Sequence, residues 1–244
     1  MCGRLNVTDN PLLIELLEQL GIHLYPAAST QTEQAPAQLA LDLPIRTGRF
    51  IRATNLVSIV LQQDGQRRLQ DAIWWLLLEQ TEQGFKPGPY TSFNTRSDKL
   101  HVRGSAGFQA YRQQRCIIPA SGFGETEIVQ GVSRYTDFIG QRALAFAGLY
   151  RTWLNKNTGE LTYSCSIITL APHPKLTPFH SKAMPMMLPP SAFDLWLDPD
   201  SNINQFNDLL QPKIYTRLRA IPINKPSLYQ AIAAVVEVEA DDEG

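Results

Sequence analysis

Short β-branched runs mixed with a few capped helices, without regular strand–helix alternation, predict an α+β domain rather than a doubly wound sheet. A length of 244 residues with 43% hydrophobic content is enough to bury one sizeable core. The chain shows no internal repeat. No apolar run reaches about 18 residues, and the start of the chain lacks a basic region followed by an apolar stretch and a cleavage site. A cytoplasmic protein without membrane association is therefore expected, with a monomer as its state. The three cysteines, Cys2, Cys116 and Cys165, show no C-x-x-C pairing, which argues against a disulfide framework and a structural zinc site. Cys116 and Cys165 are expected as buried apolar fillers. Nothing in the sequence points to a metal or an organic cofactor.

Taken in order, Asn10 before Pro11 reads as an N-cap with proline at the first helical position, and Gly21 as the stop. That predicts a helix over 11–20 whose leucines face the core. Residues 31–44, with Pro36 and Pro44 among small polar residues, read as a loop. The run 50–61 predicts a strand ended by the Asp64-Gly65 turn, and 72–78 a further buried segment. Trp74 and Trp75 suit packing better than a nucleobase platform. Pro87-Gly88-Pro89 breaks regular structure ahead of a loop carrying Ser92-Phe93-Asn94-Thr95-Arg96. A short helix over 106–114, a strand over 115–119 and a bend at 120–124 follow. Strands are expected over 134–139, 144–150 and 161–170, with loop 155–159 making a hairpin of the last two. Helices over 191–197, capped by Ser191, and over 203–210 precede a last strand over 217–223. Residues 237–244 read as an acidic, frayed and disordered tail on a domain of 1–236.

The net charge of -1 hides an uneven distribution: residues 41–120 hold 11 Lys and Arg against 6 Asp and Glu, leaving 11 against 17 elsewhere. Arg46, Arg49, Arg52, Arg67, Arg68, Arg96, Arg103, Arg112 and Arg115 all fall in that window. Two readings stay open, a solvated face and a groove following a phosphate backbone. Cys2 is the most informative single residue. Removal of Met1 would leave it with an α-amine of pKa about 7.7 to 8.0 beside a thiol of pKa about 8.5. Such an aminothiol condenses with an aldehyde to an imine and then closes a thiazolidine ring, so aldehyde capture is the chemistry it suggests.

Four polar clusters between apolar runs have the character of one shared cleft. They are Cys2-Gly3-Arg4, Asn94-Thr95-Arg96, Gly122-Phe123-Gly124-Glu125 and His180-Ser181-Lys182-Ala183-Met184-Pro185. In order and spacing they resemble the C-G-R, N-A-R-x-E, R-C-x-x-P-A-x-G-x-x-E and H-x-R-M-P segments of the SRAP family, the abasic-site processing proteins also named SOS-response-associated peptidases. The resemblance spans nearly the whole chain and is strongest over 115–125. Gly48-Arg49-Phe50 is similar to the family's G-R-Y. Departures are Phe123 and Thr126 in place of aromatics around the glutamate, Ile51-Arg52-Ala53-Thr54 for N-V-A-P, Asp98 for the glutamate after N-A-R, and one extra residue between His180 and Met184.

The resemblance implies a single domain with a mixed, strongly curved, barrel-like sheet flanked by short helices. It implies a DNA-damage protein whose partner is single-stranded DNA carrying an abasic site, crosslinked through Cys2, with abasic-site lyase and self-processing peptidase activity as further expectations. Roles follow from chemistry. Glu125, if desolvated, would relay protons, and Asn94 would hold the opened sugar or orient the amine. His180 would serve as acid and base. Arg4, Arg49, Arg52 and Arg96 would contact phosphates, with Lys182 adding a further contact; Arg4 and Arg96 could instead be structural ion pairs. Two other readings remain. One is an N-terminal-nucleophile cysteine amidohydrolase, which needs a four-layer fold. The other is a non-catalytic single-strand binder in which Cys2 is incidental.

Overall fold

The fold, taken from a computed structural model that describes residues 3–23 and 45–242, is mostly sheet with a few short helices. Cys2 and the loop expected over 31–44 lie outside the described residues. The chain begins with β1 (Arg4–Val7) and α1 (Pro11–Gln19), followed by β2 (Gly48–Arg52), β3 (Leu56–Gln63) and β4 (Gln66–Ile73). Next come the small hairpin β5 (Leu78–Thr81) and β6 (Gly84–Pro87), then β7 (Asn94–Arg96) and α2 (Phe108–Gln113). Two long strands, β8 (Arg115–Val129) and β9 (Val132–Leu154), lead to β10 (Leu161–Leu170) and β11 (Met184–Pro185). The chain continues through α3 (Phe193–Leu197), β12 (Leu218–Ile223) and β13 (Val236–Val238).

Five strands close a hydrogen-bonded ring in the order β9, β10, β4, β3 and β8, with β8 pairing back onto β9. Within it only β10 and β4 run parallel. β1 and then β2 extend from β8, while β12 and β13 extend from β9. Near its C-terminal end β10 also carries β7 in parallel and β11 antiparallel. One apolar cluster fills the interior, with Trp74, Phe123, Phe138, Phe146 and Trp196 almost fully enclosed. α1 packs against β8 and β9. Among the described residues this is one large sheet with a separate two-stranded one, β5–β6, not the four layers an amidohydrolase needs, and no helix is long and apolar enough to cross a membrane.

Local chemistry explains the elements read correctly. Asn10 caps α1 by accepting from the Leu13 N–H at 3.0 Å. Asp64 and Gly65, with φ of 52° and 73°, form the two-residue turn joining β3 to β4. Trp74 is buried and its indole donates to the Phe93 carbonyl; Trp75 is half-buried and donates to Gly88. Cys116 and Cys165 are buried, and burial pushes both thiols well above their ordinary range.

Other elements differ from expectation for identifiable reasons. The run 50–61 breaks at Thr54, whose φ is 78°, while the Asn55 side chain accepts from the Arg52 N–H. The expected bend at 120–124 is a bulge inside β8, where pairing shifts between Ala120 and Gly122. The strands expected over 134–139 and 144–150 are one element, β9, whose residues 140–143 leave β8 between the pairs Gly122–Ile139 and Ala120–Leu144. Ser191 caps nothing, since a 3₁₀ turn over Pro190–Ala192 precedes α3. The helix expected over 203–210 is two 3₁₀ turns, the first held by a capping box between Asn202 and Gln205.

The acidic stretch expected to fray is held through its described residues. β13 pairs with β12, and Asp241 accepts from the Ile214 N–H at 2.8 Å. Asp241 also pairs with Lys175 at 2.7 Å and lies 3.1 Å from His173 Nε2.

Trp196 is fully buried, donates from its indole to the Cys116 carbonyl and packs edge-on against Phe206. Trp196→Ala should lower unfolding free energy by about 3–5 kcal/mol, read as a lower urea midpoint with an unchanged slope.

Candidate functional site

The site is organised by three adjacent strands. Arg4 on β1 lies opposite Gly124 on β8, which lies opposite Asp137 on β9. The Arg4 guanidinium crosses over Gly124 to form a buried ion pair with Asp137, and the Asn6 amide donates to the other carboxylate oxygen at 3.0 Å. A Cβ at Gly124 would overlap the guanidinium, which is why the strand carries glycine there. Arg4, for which a phosphate contact and a structural ion pair were both expected readings, is a buried cation at 5% exposure that pairs with Asp137. Arg49 lies over the Tyr229 ring and lines a separate groove with Thr8, Ser121 and Arg142.

The next residue along β8, Glu125, belongs to the opposite face, together with Glu127 two positions on. Phe123 stacks on Phe138, and Phe179 meets Phe138 edge-on at 5.7 Å. Phe179 thereby anchors the turn that delivers His180, whose N–H donates to the Leu176 carbonyl. His180 is buried, with Nε2 3.6 Å from Glu125 and Nδ1 3.0 Å from Glu127. Ser181 donates its hydroxyl to Glu127 at 2.8 Å. The extra residue between His180 and Met184 is taken up by the bend ahead of β11, so the imidazole still reaches the glutamate.

Burial pushes the Glu125 carboxyl up to about 7, against the opposing influence of Arg4. Burial also holds the His180 imidazole below its ordinary value, with Glu127 pulling the other way. The Ser181 hydroxyl keeps Glu127 low. Near neutral pH the array therefore contains a carboxyl close to half-protonation, a largely neutral imidazole and an ionised carboxylate. The two imidazole nitrogens thus face different carboxyls, Nδ1 towards Glu127 and Nε2 towards Glu125. Proton exchange between Glu125 and a reacting group, with His180 as second shuttle, is what such an array can do.

Glu127 was missed by the sequence reading. Its signal was Glu125-Thr126-Glu127, two carboxylates at strand period, hidden because 120–124 reads as a bend.

Asn94 sits on β7 beside Ile167, half-buried, two residues before Arg96. The end of β10 carries β7 on one side and Met184-Pro185 on the other, bringing Asn94, Arg96 and the segment after His180 to one end of the sheet. Arg96 and Lys182 line a groove of about 500 Å³ there. Asp98 grips Arg96 through two hydrogen bonds of 2.9 Å. Arg52 is exposed on β2, opposite Arg4 in register. Of the basic window, Arg46, Arg67 and Arg68 pair with Asp71, Asp194 and Asp64. Arg115 is buried on backbone carbonyls.

The chain as a whole matches known proteins in both sequence and shape. The family model described as SOS response associated peptidase (SRAP) matches residues 1–226, and the chain belongs to that family. It is 28% identical over 185 residues to the abasic site processing protein YobE of Bacillus subtilis, covering 72% of this chain and 82% of that protein. It is 30% identical over 162 residues to the abasic site processing protein YoqW of the same organism, covering 65% and 70%. A crystal structure of a Bordetella bronchiseptica protein superposes with TM-score 0.66 at 20% identity, covering 92% of this chain and all of that one.

Asp137→Ala would leave Arg4 buried without its carboxylate and should cost about 3–5 kcal/mol in chemical denaturation. Glu127→Gln removes a negative charge that raises both His180 and Glu125. The titration of His180, followed by NMR of its ring protons, and that of Glu125 should both move to lower pH.

Proposed function

We propose that the protein processes abasic sites in single-stranded DNA by capturing them covalently through Cys2. Single strands suit the reading because the lesion needs no extraction from a duplex stack. Family membership and the names of its relatives, abasic site processing proteins, support the substrate. The observation that carries the chemistry is Glu125: a buried carboxyl with its pKa raised to about 7 and a histidine within 3.6 Å, one residue along β8 from the partner of Arg4, where β1 begins.

In this reading, hydrolysis of the Met1–Cys2 bond uncovers the amine, the self-processing that a peptidase name would describe. The C1′ aldehyde of the opened sugar adds the Cys2 amine, and loss of water gives the imine. The thiol then adds across the C=N bond, its proton passing to nitrogen, and a thiazolidine results. Glu125 supplies the proton that lets hydroxide leave as water, and His180 assists ring opening of the sugar. Asn94 holds the opened deoxyribose, while Arg52, Arg96 and Lys182 neutralise flanking phosphates. Should the thiol fail to close the ring, the imine permits β-elimination, a lyase outcome.

The test is intact mass spectrometry and a denaturing gel after incubation with a single-stranded oligonucleotide bearing one abasic site. The expected result is loss of Met1 and a heat-resistant species at the summed mass. Cys2→Ala should give none, and Glu125→Gln should slow its formation by about 10²-fold or more. A processed Cys2 with no adduct would overturn the reading.

A further inference from the structure

A second group of cations lies away from the Glu125–His180 array. Between Lys99 and Gly124 the sequence contains Lys99, Arg103, Arg112 and Arg115 and not one Asp or Glu. The fold adds Arg151 from β9 to this stretch, its Nη2 donating to the Ala106 carbonyl at 2.8 Å. Arg103, Arg151, Ser105, Phe108 and Gln109 line a groove of about 530 Å³. Among the described residues neither Arg103 nor Arg151 has a carboxylate within ion-pair distance, unlike Arg46, Arg67 and Arg96, which each have one. Arg112 lies over the Phe108 ring at 3.7 Å and donates to the Leu100 and Phe108 carbonyls, behind the residues that line the groove.

Arg151 is the telling member. It is half-buried, and desolvation lowers its pKa from the ordinary value. A guanidinium partly withdrawn from water with a single backbone acceptor is costly unless an anion completes its shell. The groove also has a direction. Arg96 is in register with Thr169 on β10 and Arg151 with Ser164, five residues back along the same strand. Along the strand that separation is about 17 Å, and because five is an odd offset the two side chains leave opposite faces of the sheet, so a nucleic-acid strand touching both passes around its edge. The loop after Arg96 runs through Arg103 to α2, bridging the two positions.

We infer that the Arg103–Arg151 groove is a second phosphodiester subsite, which holds the same DNA strand several nucleotides away from the lesion bound near Arg96. This rests on the reading of the first site as one for abasic single strands. The subsite would make affinity depend on strand length and would contribute nothing to the chemistry at Cys2.

The experiment is fluorescence anisotropy with unmodified single strands of about four and about twelve nucleotides, the range of single-strand site sizes, over a salt series. Arg103→Glu, exposed and without a bond to lose, is compared with the Arg103→Glu, Arg151→Gln double variant. Binding of the longer strand should weaken roughly tenfold per lost contact at about 50 mM salt, with the slope of log K against log salt reduced by about 0.7 each. Binding of the shorter strand, and its crosslinking when it carries an abasic site, should stay at wild-type level. Unchanged affinity and slope for the longer strand in both variants would overturn the subsite. A wild type that gives no crosslink, while longer strands still depend on Arg103, would overturn the abasic reading and leave the groove as a single-strand binding surface.

Discussion

The ion pair between Arg4 and Asp137 is the constraint on which the site depends. It ties β1 to β9 across β8, and it works only because residue 124 has no side chain. Two opposite charges in that interior are costly to desolvate, and the Asn6 amide offsets part of the cost by bonding the second oxygen of Asp137. Such a pair contributes less to net stability than to specificity: any slip of β1 by one residue would bury Arg4 against apolar side chains. Register is thereby fixed at the position where the chain enters beside Glu125.

On the other face the same three strands do a different task. Phe123, Phe138 and Phe179 form an apolar floor, and the two glutamates and His180 sit at its edge. The floor removes water, which raises Glu125 and depresses His180. Glu127, less buried and bonded by Ser181, stays ionised and lies 3.0 Å from the imidazole Nδ1. Two carboxylates separated by one residue thus titrate in different ranges, because burial raises one and a hydroxyl bond lowers the other.

What the sequence made legible is what local chemistry decides. Asn10-Pro11 marks a helix start and Asp64-Gly65 a hairpin wherever they occur, and four short polar clusters in order were enough for the family. The long strands were misread because Gly122 and Gly124 speak locally for a bend. Their actual reasons are distant: the Phe138 carbonyl and the Arg4 guanidinium need the space. For Arg4 a phosphate contact and a structural ion pair both stood open, because nothing near it in sequence announces Asp137. The basic window stayed ambiguous for the same reason, since Arg67 finds its acid at Asp194, far along the chain. Glu127 became visible only once 115–129 was a single strand.

Asp241 links the segment after β13 to the turn that ends at His180. Its carboxylate holds His173 and Lys175, near the start of the turn that ends at His180, so the imidazole is braced by a residue far downstream that never approaches the glutamates. The acidic stretch is thus a remote tensioner. Sequence drift there, or a fusion that pulls it off β12, would change how firmly the imidazole is presented while leaving every residue around it intact.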